Sequence, residues 1–226
     1  MIEHNTLSEN RGYNGGNAIS DSQAMILDNV FYKNTSTRGT LYACHSLIKG
    51  NILTENSRTL NGCNGSIRDN IIKGSSGPAI DGCNGNIINN VIEDGTGSGI
   101  EDCNGLIENN IIRNNNSADL GDAGAGGGLT NCQGIIRNNI IENNNADQGG
   151  GISYCNNTII HNIIRGNISS YEGGGLWECN GIIQDNTIQY NQAMERGGGL
   201  SHCNGAISNN VIDYNYSITA NGRSRF

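Results

Sequence analysis

Residues 173–191 read GGGLWECNGIIQDNTIQYN, and the same pattern returns along most of the chain. A cysteine marks one fixed point of the repeat, at Cys44, Cys63, Cys83, Cys103, Cys132, Cys155, Cys179 and Cys203. An asparagine follows each cysteine seven residues later, at Asn51, Asn70, Asn90, Asn110, Asn139, Asn162, Asn186 and Asn210. An internal repeat of this strictness predicts a solenoid, in which each repeat forms one coil stacked on its neighbours.

The coils are predicted to consist of short β-strands. The apolar segments of each repeat are too short for helices, and they are separated by Asn and Gly, which tolerate the positive φ that tight bends require. We expect an all-β, single-domain parallel β-helix of about ten coils, with about three short strands in each coil. It would span residues 1–226, with degenerate first coils at 1–43, regular coils at 44–215 and a tail at 216–226.

Several columns of equivalent residues are predicted to face the interior. One column of isoleucines comprises Ile48, Ile67, Ile87, Ile107, Ile136, Ile159, Ile183 and Ile207. A second apolar column comprises Leu53, Ile72, Ile92, Ile112, Ile141, Ile164, Ile188 and Ile212. Stacked asparagine side chains can hydrogen-bond along such a column, so we expect the asparagines to form ladders. A second ladder would contain Asn34, Asn56, Asn115, Asn144, Asn167, Asn191 and Asn215.

The cysteine column is expected to be a core feature. Cysteine packs in a core as a small hydrophobe. Adjacent coils lie about 4.8 Å apart, which falls within the Cα separation of about 4.4 to 6.8 Å that a disulfide tolerates. Disulfides between coils are therefore possible in geometry, but we favour reduced thiols. The spacing contains no C-x-x-C pair, which disfavours a metal site.

The I-x-x-N-x-I-x-x-N pattern resembles the right-handed parallel β-helix repeats of the pectate-lyase-like superfamily, over essentially the whole chain. The G-G-G-[IL] segments preceded by Asn145-Ala146 or Asn191-Gln192-Ala193 look more narrowly like bacterial cell-surface β-helices, including polymorphic outer-membrane protein repeats. The resemblance implies right-handed coils and a secreted or cell-surface location. It also implies that a catalytic site, if present, lies on the outer face of one sheet.

The charge and the apolar pattern of the chain disfavour a nucleic-acid partner and a membrane-spanning helix. The formal net charge is −8, which disfavours a nucleic-acid partner on electrostatic grounds. The sequence contains no apolar run of about 20 residues, so no membrane-spanning helix is expected.

The strongest candidates for chemistry are Asp81, Glu101 and Asp102. The first two occupy equivalent outward positions in adjacent coils, close enough for a carboxylate pair or a calcium site. The alternative is a solvated acidic face on an acidic protein. No base or further catalytic string accompanies them, so we expect no strong lyase or hydrolase activity. We expect no cofactor; a loop calcium site at Asp119, Asp122 and Asp147 is the weaker alternative.

Aromatic residues provide a second candidate site. Tyr154, Trp177 and His202 occupy neighbouring positions near the cysteine column and could form a strip that stacks on sugar rings. The alternative is that the tryptophan is incidental surface or a contact for a partner protein.

Two features predict self-association. Strand parity points one apolar column outward, at Ile52, Ile71, Val91, Ile111, Ile140, Ile163 and Val211. A stripe of this length needs to be covered by a loop or another chain. The last regular coil contains Ile212, and the chain reaches Phe226 at about the point where the repeat would begin another coil. Ile2 of a second copy occupies the matching position in the repeat. A head-to-tail contact of this kind builds a filament; the alternative is a fragment of a longer surface protein.

These observations favour a structural role. We expect an extracellular β-solenoid that assembles head to tail into a filament or forms a surface or adhesive stalk. The alternative is a β-helix that binds or processes polysaccharides.

Overall fold

The computed structural model describes residues 1–13, 16–118, 126–218 and 224–225. These residues contain no α-helix and form a parallel β-solenoid of about nine turns. The expected fold class is confirmed, with slightly fewer turns than the predicted ten. Two of the solenoid's sheets contain ten strands and a third contains nine.

Three parallel sheets extend along the solenoid. Sheet 1 consists of Ile2–Glu3, Ile26–Leu27, Ile48–Lys49, Ile67–Arg68, Ile87–Ile88, Ile107–Glu108, Ile135–Arg137, Thr158–Ile160, Ile182–Gln184 and Ala206–Ser208. Sheet 2 consists of Thr6–Ser8, Val30–Tyr32, Ile52–Thr54, Ile71–Lys73, Val91–Glu93, Ile111–Arg113, Ile140–Glu142, Ile163–Arg165, Thr187–Gln189 and Val211–Asp213. Sheet 3 consists of Gly16–Ser20, Gly39–Tyr42, Leu60–Asn61, Ile80–Asp81, Ile100–Glu101, Leu129–Thr130, Ile152–Ser153, Leu176–Trp177 and Leu200–Ser201.

Some coils contain a fourth strand between sheets 2 and 3. Near the start of the chain, Arg11–Gly12 pairs with Thr35–Ser36. In the later coils a five-stranded sheet 4 contains Asn145–Ala146, Ile168–Ser169, Gln192–Ala193, Tyr216–Ile218 and Ser224–Arg225. The first part of the expected tail is therefore a strand of the last coil, and Ser224–Arg225 returns antiparallel against it.

The predicted inward columns form the core. The isoleucine column from Ile48 to Ile183 is buried, and so is the column from Leu53 to Ile188. Each residue pairs with its equivalent in the next coil, as Ile67 does with Ile48 and Ile87. All cysteines carry free thiols, and every one except Cys203 is buried. The repeat therefore placed these residues correctly.

Both buried asparagine ladders are present; the first is continuous, whereas Ser75 and Gly95 interrupt the second. The Asn139 carboxamide oxygen accepts from the backbone N–H of Asn110 at 2.9 Å and from its side-chain amide at 3.0 Å. The Asn139 amide in turn donates to Ile107 O at 2.9 Å and to the Asn162 oxygen at 3.0 Å. Because buried amides are costly when unpaired, this pairing explains why asparagine recurs at the bend.

A third asparagine ladder runs along the exposed Cys-Asn-Gly bend. The Asn84 backbone N–H donates to the Asn64 side-chain oxygen at 2.9 Å, and Asn204 donates to Asn180 at 2.8 Å. The glycine that follows is sterically required, because a Cβ on Gly85 would lie 2.0 Å from the carbonyl oxygen of Gly65. The sequence analysis did not predict this ladder, although the repeated Cys-Asn-Gly places an asparagine at the same position in neighbouring coils.

Coil length varies mainly between sheets 2 and 3. Residues 55–59 connect those sheets in one coil, whereas residues 166–175 connect them in a later one. The connection from sheet 1 to sheet 2 stays short, as at Gly50–Asn51. The longer segments lie beside the outer face of sheet 3, so they determine what that face exposes.

Candidate functional site

The outer face of sheet 3 carries the predicted acidic residues. Strand pairing places Asp81 beside Glu101, with Asn61 and Thr130 as their next neighbours along the face. Asp102 follows Glu101 at the bend, where it has a φ of 53°. The structure therefore brings the three candidate carboxylates into adjacent coils, as the repeat predicts.

The Asp81 carboxylate is buried and paired. Its Oδ2 lies 2.9 Å from a guanidinium nitrogen of Arg58 and accepts a hydrogen bond from the Asn61 amide at 3.2 Å. Burial raises the pKa of Asp81, and the positive charge of Arg58 partly offsets that effect. Arg58 was not among the predicted site residues. It lies in the connection between sheets 2 and 3, the most variable part of the repeat.

Glu101 and Asp102 complete the acidic group. Burial raises the pKa of Glu101, and the neighbouring charges of Asp81 and Asp102 raise it further. Asp102 is exposed and accepts a hydrogen bond from the Asn131 amide at 2.7 Å. The group therefore offers carboxylate oxygens that could accept hydrogen bonds from hydroxyl groups. Among the described residues no group of three or more His, Cys, Asp or Glu is arranged to hold a metal ion. Asp119 and Asp122 of the calcium alternative lie outside the described residues.

The aromatic strip differs from expectation. Tyr154 and Trp177 are in contact, with ring centroids 4.6 Å apart in a T-shaped arrangement. Trp177 points away from the core, but it is only 6% exposed. The segment before its strand packs close to it, since a Cβ on Gly173 would lie 2.7 Å from the Trp177 Cβ. The expectation of an exposed tryptophan was therefore wrong, because strand parity does not report the path of a covering loop.

His202 lies in a different cluster, whose other members, Glu172, Arg196 and Ser201, were not predicted site residues. Glu172 is 9% exposed and accepts a hydrogen bond from the Ser201 hydroxyl at 2.9 Å. His202 Nδ1 and an Arg196 guanidinium nitrogen each lie 3.6 Å from its carboxylate. Glu172 and Arg196 directly precede the glycine triplets of adjacent coils and pair as a β-bridge. The sequence signal for this cluster was the residue before the glycine triplet, which is acidic in one coil and basic in the next.

The predicted assembly surfaces lie outside sheet 3. The apolar stripe from Ile52 to Val211 points outward from sheet 2; its members are exposed or half-buried. Ile212 faces inward in the last described coil but is exposed, and Ile2 is half-buried in the first coil. Phe226 lies outside the described residues.

Comparisons of the chain with protein-family models, curated proteins and solved structures give no match. Within the described parts of the chain, no helix has the length and apolar character needed to cross a membrane.

Proposed function

We propose that this chain is a structural β-solenoid of the cell exterior that associates end to end with copies of itself. Its extracellular location is supported by the resemblance of its repeats to bacterial cell-surface β-helices. A structural role is supported by the continuity of the core, because the apolar columns and asparagine ladders link each described coil to the next.

The observation that carries the proposal is that the core residues of a coil are fully buried only where a further coil stacks on them. Ile207 is 41% exposed and Ile212 is 45% exposed. Their equivalents one coil earlier, Ile183 and Ile188, are fully buried. Another coil stacked on this surface would remove both side chains from water, and apolar burial is favourable at about 25 cal/mol per Å².

The polarity of the asparagine ladders supports a head-to-tail arrangement. In the buried ladders the backbone N–H of one coil donates to the carboxamide oxygen of the next, as Asn29 does to Asn51 at 2.9 Å. The exposed ladder has the opposite polarity, since Asn84 donates back to Asn64. In the buried ladders, consequently, Asn5 and Asn10 direct carboxamide oxygens away from the second coil. Asn210 and Asn215 direct backbone N–H groups away from the coil before them. One copy would present the donors and the next copy the acceptors.

Sedimentation velocity and negative-stain microscopy over a concentration series test this proposal. We expect the wild-type chain to form progressively longer species, more readily at high salt because salt screens the repulsion between chains of net charge −8. Ile212→Asp should stop growth, since it places a charge in the stacking surface. The matched control is Ile182→Asp, which changes an isoleucine of equal exposure, 45%, on the outside of sheet 1. A wild-type chain that stays one size at high concentration and salt would contradict the proposal.

We do not propose the carbohydrate-binding alternative, because its aromatic strip depended on an exposed Trp177. We likewise do not propose a polysaccharide-processing role, because the Asp81 carboxylate is buried and already paired with Arg58 at 2.9 Å.

A further inference from the structure

The outer face of sheet 2 is an apolar surface open to solvent. Its first column is the apolar stripe, in which Ile71 is 44% exposed and Val211 is 51% exposed. Strand pairing aligns the members of the stripe one above another, as Ile71 aligns with Ile52 and Val91. Ile52, Ile71, Ile163 and Val211 are exposed, whereas the central members Val91, Ile111 and Ile140 are half-buried, and Thr187 interrupts the column before Val211. A run of partly exposed apolar side chains of this length is a candidate interaction surface.

A second column on the same face carries charges of alternating sign. In successive coils it contains Lys73, Glu93, Arg113, Glu142 and Arg165. Arg113 contacts the Glu93 carboxylate at 2.7 Å, and Arg165 contacts Glu142 at 2.7 Å. Each of the acids lies next to a base above and below it, so the order of signs is built into the strand register.

We propose that two copies of this chain pair side by side, antiparallel, through the outer faces of sheet 2. The two-fold axis would run along the strands and pass between Val91–Glu93 and Ile111–Arg113. This inference shares with the proposed function the idea of self-association. It uses a different surface, however, and does not require the end-to-end contact.

The alternation of charge selects this axis. A two-fold axis through a strand would place like charges together, for example Arg113 against the partner's Arg113. An axis between strands instead places Glu93 opposite the partner's Arg113 and Lys73 opposite the partner's Glu142. Among such axes, the one between the fifth and sixth of the ten strands of sheet 2 overlaps the most coils. An opposed pair of complementary charges favours one register over its neighbours.

A parallel side-by-side pair would not use this complementarity. Its two-fold axis would run along the solenoid, so the apolar stripes would meet but the charged columns would lie on opposite sides of the contact. In the antiparallel arrangement both columns face their counterparts. The apolar stripe is then covered as well, with Ile71 opposite the partner's Ile140 and Ile52 opposite the partner's Ile163.

The size of the face predicts a weak dimer. At about 4.8 Å per coil and about 3.3 Å per residue, the ten strands of sheet 2 cover roughly 450 Å² on each copy. Specific protein interfaces typically bury about 800 Å² per partner. We therefore expect a dissociation constant in the micromolar range or weaker, and a dimer that forms as concentration rises.

Sedimentation equilibrium of the full chain carrying Ile212→Asp isolates this contact, because that change removes the stacking surface of the proposed filament. We expect a reversible monomer–dimer equilibrium. Adding Ile71→Asp should weaken dimerisation at least tenfold, since each dimer contains the change twice. Adding Ile182→Asp instead should leave it unchanged, because that residue has similar exposure but lies on sheet 1.

Charge reversal tests the register. Arg113→Glu should weaken the dimer, and Glu93→Arg added to it should restore at least part of the loss, because the pair across the axis again has opposite signs. Thermal melts establish that each variant is folded. A chain that stays monomeric at all concentrations overturns the inference, as does a dimer that is insensitive to Ile71→Asp. Either result leaves the end-to-end proposal standing, because that proposal is tested by growth of the chain without Ile212→Asp.

Discussion

The outward-pointing side chains of sheets 2 and 3 occupy equivalent places in their strands, but they differ in burial. On sheet 3, Ser153 is fully buried and Trp177 nearly so, whereas on sheet 2 Ile71 and Val211 are exposed. The face that carries polar residues is thus covered and the face that carries isoleucines is open. Strand parity determines where a side chain points, and the connecting segments determine whether water reaches it.

The largest effect should come from removing the covered aromatic residue. Trp177→Ala deletes a buried side chain that packs on Tyr154, and Trp→Ala changes in cores cost about 3 to 5 kcal/mol. Ile71→Ala, at an outward position on sheet 2, should cost less than about 1 kcal/mol because the side chain is already half in water. Urea denaturation measures both. Equal losses would show that water reaches the two faces to the same extent.

A smaller effect is expected at Glu101, and it should depend on pH. The folded state raises the pKa of this carboxyl above its ordinary value of 4.5. The folded protein therefore binds more protons than the unfolded chain in the window between the two pKa values, and the free energy of unfolding decreases as pH rises through it. Glu101→Gln should raise the melting temperature at pH 7.

The gain from Glu101→Gln should disappear below about pH 4, where the carboxyl is protonated in both the folded and unfolded states. Glu142→Gln on sheet 2 is the control, because Glu142 is paired with Arg165 at 2.7 Å. We expect that change to give no stabilisation at pH 7. A Glu101→Gln gain that persists unchanged at low pH would contradict the assigned cause.

The smallest predicted effect concerns the reactivity of the cysteine thiols, which lie in the core just after the strands of sheet 3. Cys203 is half-buried, whereas the cysteines of earlier coils are buried. Burial raises the pKa of Cys155 and Cys179, and a hydrogen bond from Cys179 lowers the pKa of Cys203. Alkylation of the native protein should therefore modify Cys203 first, as read by peptide mass spectrometry. Equal labelling of Cys179 and Cys203 would show that the core beneath the face is open.

The candidate sites combine features set by the repeat with features set by the connections. The adjacency of Asp81 and Glu101 followed from the repeat, because equivalent positions in consecutive coils must be neighbours. The pairing of Arg58 with Asp81 did not follow, since Arg58 lies in a connection whose length changes between coils. The cover over Trp177 has the same origin: the path of the segment around Gly173 depends on contacts with neighbouring coils.

The sequence by itself determined the parallel solenoid, the strand register, the buried isoleucine and cysteine columns and the two buried asparagine ladders. It could do so because a constant repeat stacks identical positions, and each stack must either pack or hydrogen-bond with itself. Only the tertiary structure decided which outward faces are covered, which carboxylates are paired and where the fourth strands form. Those features depend on the connections between sheets 2 and 3, whose lengths vary and whose positions are set by contacts between coils.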